Sequence, residues 1–101
     1  MLRIVLDYDD TYTADPVLFD QLIELAQARG HEVVVATARE ESWPINPVPI
    51  GLQVVYCAGR PKRTAVLMAL PSVRHTIFID DLPHLVDLGL GHPAARELGL
   101  A

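Results

Sequence analysis

Leu2-Arg3-Ile4-Val5-Leu6-Asp7-Tyr8-Asp9-Asp10-Thr11 is the stretch on which the fold turns. Leu2 to Leu6 is short, largely apolar and rich in branched side chains, as a strand covered on both faces requires. Three carboxylates follow within four residues of its end. A buried strand ending in acid delivers negative charge to one fixed edge of a sheet. Thr76-Ile77-Phe78-Ile79, followed by Asp80-Asp81, repeats that arrangement near the other end of the chain. Five carboxylates gathered at one edge repel one another unless a cation or a proton intervenes. Such a cluster costs stability and points to chemistry rather than packing.

The rest of the chain places both clusters on the same edge. Asp15-Pro16 reads as an N-cap followed by proline at the first helical position. Leu18, Leu22, Leu25 and Ala26 recur at helical spacing, and Gly30 falls where that helix stops. Val33-Val34-Val35-Ala36 is a second buried strand, closing at Thr37. Strand, helix and strand in so few residues form a βαβ unit with parallel, adjacent strands. The segment from Glu40 to Ile50 carries Pro44, Pro47 and Pro49 and is expected to be a loop. Leu52 to Tyr56 is a third strand. A helix opens at Pro61, contains Ala65 to Ala69 and stops before Pro71, and Thr76 to Ile79 is the fourth strand. Short helices are expected over Leu82 to Leu88 and Pro93 to Leu98. The alternation predicts an open, mostly parallel α/β sheet of four to five strands in a three-layer sandwich. Sites in such sheets lie beyond the carboxyl ends of the strands, where Asp7, Asp9, Thr37, Asp80 and Asp81 all fall.

The 101 residues suit a single domain, residues 1–101. Half of them are apolar and mean hydropathy is +0.25, high for so small a chain, so a homo-oligomer is expected. A net charge of −5 argues against a general nucleic-acid binder. One cysteine, Cys57, excludes an intrachain disulfide and a thiolate metal cluster. No apolar run is long enough to span a bilayer, and Asp7, Asp9 and Asp10 interrupt any signal-peptide pattern, so a cytoplasmic location is expected.

Four short motifs, in order, resemble those of the haloacid dehalogenase superfamily, which is mostly phosphohydrolases. They are Asp7-Tyr8-Asp9-Asp10-Thr11 after the first strand, Thr37 after the second, Lys62 at the start of the helix before the fourth, and Asp80-Asp81 after it. The resemblance covers most of the chain from Leu2 to Asp81. It implies a Rossmann-like fold and a Mg²⁺-dependent phosphatase acting through an aspartyl-phosphate. Asp7 would be the nucleophile and Asp9 the group that protonates the leaving oxygen and then activates water. Asp7, the Asp9 carbonyl and Asp81 would hold the metal, with Asp80 orienting that shell. Thr37 would bind phosphoryl oxygens and Lys62 would neutralise charge on them. Family caps are inserted after the first or third strand. Only Tyr12 to Asp15 separates the first motif from its helix, and the connection from Tyr56 to Pro61 is equally short, so the capless type is implied.

Blander readings stand beside these. Asp9-Asp10-Thr11 also suits a turn, Thr37 a strand terminator and Lys62 a solvated first-turn residue. Tyr8, Asp10, Thr11, Arg39, Trp43 and Arg63 are candidate substrate contacts near the strand ends. For Tyr8, packing is an equal alternative; for the arginines, plain solvation; and for Trp43, anchoring of the loop. Phosphorylated small molecules or nucleotides are the expected substrates. The alternative function is a binding module that sequesters a nucleotide or other phosphorylated ligand without turnover.

Overall fold

The strand that opens the chain lies inside the sheet, with a neighbour on each side. In the computed structural model, which describes residues 1–49, 51–72, 74–89 and 92–97, β1 (Leu2–Asp7) pairs in parallel with β2 (Glu32–Thr37) and with β4 (His75–Ile79). β3 (Gln53–Tyr56) extends the sheet on the far side of β2, giving the order β3-β2-β1-β4, with every pair parallel. Only β1 and β2 are buried along nearly their whole length. This is the pattern expected of central strands covered on both faces.

Two apolar layers sandwich the sheet. On one face Ile4, Leu6, Val33 and Val35 pack with Ile23 and Ala26 of α1 (Pro16–Ala28) and with Ile45 of the proline-rich loop. On the other, Val5, Val34, Ala36, Val55 and Cys57 pack with Ala65 and Val66 of α2 (Lys62–Ala69). The placement follows from right-handed crossovers. β1, β2 and β3 succeed one another in one direction, and the return to β4 crosses the sheet on the opposite face. Strand order therefore switches at β1 and β4, where the acidic clusters lie. No cap domain interrupts the described residues.

Asp15 caps α1, accepting a hydrogen bond from the Leu18 amide at 3.1 Å, and Gly30 follows with φ +82. Of the expected stripe, Ala26 is buried and Leu22 half-buried, but the rest of the buried face runs through Phe19 and Ile23 instead of Leu18 and Leu25. Leu18 and Leu25 are 52% and 61% exposed, whereas Ile23 and Ala26 are buried and Phe19 packs against them. Ala26 continues both the Leu18-Leu22 and the Phe19-Ile23 spacing, so periodicity alone does not choose between those two pairs. The helix expected over Leu82 to Leu88 is a single 3-10 turn, Pro83–Val86, that buries Leu85 and Val86. The last helix, α3, spans Pro93–Glu97, and the expected final residue Leu98 lies outside the described residues. Among the described residues, no helix is long and apolar enough to cross a membrane.

Candidate active site

Register alone brings the two acidic clusters together. Leu6 lies opposite Ile79, so the next residues, Asp7 and Asp80, leave the sheet side by side. Asp7 also faces Ala36, which places Thr37 one step beyond it on the other neighbour. The carboxylates of Asp7, Asp80 and Asp81 each offer an oxygen, and these oxygens lie within 4.8 Å of one another.

Lys62 enters this group from the first turn of α2. Its Nζ donates to Asp7 Oδ1 at 2.6 Å and to Asp80 Oδ2 at 2.5 Å. A lysine at a helix N-terminus works against the helix dipole, and its contact with two carboxylates offsets that. The turn before α2 is held by strand-like bonds to the end of β2. Cys57, Ala58 and Gly59 donate their amides to the carbonyls of Thr37, Arg39 and Ala38.

Thr11 closes the other side. Its hydroxyl oxygen lies 2.9 Å from Asp7 Oδ2 and 2.9 Å from Asp81 Oδ1, and it accepts the Asp81 amide at 3.0 Å. The one hydroxyl proton serves either carboxylate. Asp80 Oδ1 accepts the Leu82 amide at 2.9 Å. Both Asp80 oxygens are thus engaged, whereas Asp81 is the exposed member of the group.

The electrostatics follow from this crowding. Asp7 is 6% exposed, and burial pushes its carboxyl up to about 7. Lys62 pulls it back, while Asp81 and Asp80 add to the rise. Burial opposes the charge on Lys62, but the hydrogen bonds and charges of Asp7 and Asp80 outweigh it, so Lys62 is held above the ordinary lysine range. An all-oxygen donor set of this kind fits a hard divalent cation such as Mg²⁺, with Asp7, Asp80 and Asp81 as the residues able to hold it.

Asp9 belongs to a second group at the mouth of the site. Arg39 grips it as a fork, Nε donating to Oδ2 at 2.9 Å and Nη2 to Oδ1 at 2.6 Å. Its Nη1 donates to the Pro44 carbonyl at 3.0 Å, and the guanidinium lies over the Trp43 ring, 4.0 Å from the centroid. Transfer of a proton by Asp9 therefore requires Arg39 to release an oxygen. Thr37 is fully buried, and its hydroxyl accepts the Arg39 amide at 3.2 Å.

The remaining candidates divide. Tyr8 is 2% exposed and packs in the core, its ring stacked on Tyr12 at 5.7 Å between centroids, so it offers no free face to a substrate. Thr11 is a buried tether between carboxylates. Asp10 sits at the exposed tip of the loop with φ 62, a left-handed conformation that Asp tolerates. Arg63 is drawn away to Asp87, its Nε 2.7 Å from Oδ1. Trp43 stands at the mouth with Arg39. Burial pushes the Cys57 thiol up to about 11, in keeping with a small apolar filler.

The tether made by Thr11 and the Arg39–Asp9 fork are the elements that sequence reasoning did not reach. A signal for the second was present, since an arginine two residues past a strand end has the length to reach the neighbouring loop. No family model, curated protein or solved structure matches the chain.

Proposed function

We propose that the protein is a Mg²⁺-dependent phosphohydrolase acting on phosphomonoesters through an aspartyl-phosphate on Asp7. The observation that carries this reading is the meeting of Asp7, Asp80 and Asp81 around Lys62 and Thr11. Carboxylates at strand ends gain nothing from packing, and this group holds a buried acid beside a buried ammonium. Mg²⁺, when bound, supplies the positive charge that keeps Asp7 ionised at neutral pH beside an anionic substrate.

The steps rest on the chain's own groups. An Asp7 oxygen bonds to phosphorus as the ester P–O bond breaks, and the departing oxygen takes a proton from Asp9. Water then attacks phosphorus, giving its proton to Asp9, and inorganic phosphate leaves with Asp7 restored. Lys62 neutralises charge gathering on Asp7 and the phosphoryl group. Asp81, exposed and with one oxygen free of partners among the described residues, suits direct contact with the metal. Asp80, engaged by Lys62 and the Leu82 amide, suits its orientation.

Purified protein with Mg²⁺ should release phosphate from an activated aryl phosphate, and Asp7→Asn should abolish release. Undiminished activity in that variant would remove Asp7 as nucleophile. A second reading, sequestration of a phosphorylated ligand without turnover, draws support from Arg39 holding both Asp9 oxygens. Calorimetric binding with the ligand recovered intact would favour it. Exposed Val17, Leu18 and Leu25 on α1 support self-association, and a cytoplasmic location belongs to the same proposal.

A further inference from the structure

Trp43 is the sole tryptophan, and it is 64% exposed although it is firmly held. Its amide donates to the Glu40 carbonyl at 2.9 Å, and the Arg39 guanidinium covers one face of the indole. The rest of the ring faces water, against the hydrophobic effect. It forms one wall of a hollow of about 350 Å³ lined by Asp9, Ala38, Arg39, Glu40, Ser42 and Trp43.

Two further features give the hollow a chemistry. A guanidinium carries five N–H donors, and the three bonds from Arg39 to Asp9 and Pro44 leave two for a ligand. Glu40 and Ser42, the Ser42 hydroxyl 3.4 Å from Glu40 Oε2, add oxygen acceptors and an exchangeable hydroxyl donor to the same lining. Asp9 and Glu40 also bring negative charge, which disfavours a polyphosphate there.

Asp9 is common to the hollow and to the proton transfer proposed above. The group carried by the departing oxygen must lie beside Asp9. We infer that this hollow is the leaving-group subsite and takes a planar ring stacked on the open face of Trp43. Nucleoside monophosphates fit this description, with sugar hydroxyls toward Glu40 and Ser42 and base acceptors toward Arg39. The inference rests on the phosphohydrolase reading.

Trp43 emission supplies a readout independent of turnover. With Mg²⁺ present, a nucleoside 5′-monophosphate should quench it saturably, and glycerol phosphate should not. Trp43→Leu should lower the kcat/KM ratio of nucleoside monophosphate to glycerol phosphate about tenfold or more, as expected for lost base–aromatic stacking. Trp43→Phe should recover most of that ratio. Equal loss on both substrates would assign Trp43 a purely structural role and overturn the subsite. So would hydrolysis of nucleotides without any quench. Absence of phosphate release from every ester would instead overturn the hydrolase reading. A saturable quench would then still support the ring site, and its absence would remove it.

Discussion

Thr11 and Asp81, 70 residues apart in sequence, hold each other twice: the Asp81 amide donates to Thr11 Oγ1 at 3.0 Å, and that oxygen lies 2.9 Å from Asp81 Oδ1. The contact joins the loop after β1 to the residues after β4. Thr11→Val keeps the shape but leaves the Asp81 amide without its acceptor and the Asp7–Asp81 pair without the hydroxyl proton they share. It should cost about 1–3 kcal/mol and weaken Mg²⁺ binding, whereas Thr11→Ser should preserve both. Urea unfolding and calorimetry with Mg²⁺ would test this, and a stable, tightly binding valine variant would contradict it.

The raised carboxyl of Asp7 makes stability depend on pH. Its ordinary value is 3.8 and its folded value about 7. Between these the folded chain holds a proton that the unfolded chain releases, so stability falls as pH rises through this window and levels off above it. Asp7→Asn removes that titration. Without divalent ions, the variant should gain on the parent protein as pH rises from about 4 to about 7, with a constant gap above. Urea unfolding of the pair across that range measures it. A gap independent of pH would mean that Asp7 titrates normally.

Lys62 is the only cation that touches Asp7 and Asp80 among the described residues. Lys62→Met strands buried carboxylates and should destabilise the metal-free protein by about 3 kcal/mol. Added Mg²⁺ should restore much of that by supplying the missing charge. The same variant should lose about 10²–10³-fold in kcat. Thermal melts with and without Mg²⁺, beside phosphate release, separate the two effects.

Arg3 provides a contrast away from the site. It is buried near the start of β1, bonded through Nε to Glu32 at 2.6 Å and through Nη1 to the carbonyls of Leu70 and Ser72. Arg3→Met should cost about 2 kcal/mol and leave Mg²⁺ affinity intact. An altered affinity would show that the two ends of β1 are coupled.

The parallel sheet was legible because β1 and β2 are short branched runs and because Asp15-Pro16 and Gly30 punctuate the intervening helix. Convergence of Asp7 and Asp80 was legible too, since strand ends share one edge in such a sheet, whereas Lys62, on a helix, was pointed to only by the motif resemblance. The buried stripe of α1 was legible only in part: Ala26 was in the expected stripe, but Leu18-Leu22 and Phe19-Ile23 satisfy one periodicity equally. Nor was the burial of Tyr8 decided, since the cluster it joins draws on α1, β2 and the distant Ile45. Arg3 is another case: a lone arginine inside an apolar run gives no sign that the acceptors waiting for it are Glu32 and two carbonyls beyond α2.

Among the described residues β4 is an outermost strand, hydrogen-bonded along one flank only. The residues that follow it are pinned by Thr11 and Lys62 rather than by a further neighbour. If the acidic cradle binds Mg²⁺ as proposed, its occupancy and the integrity of that border should be coupled. An ion settling between Asp7 and Asp81 would then also fasten His75–Ile79 against fraying, and amide exchange along that strand would slow accordingly.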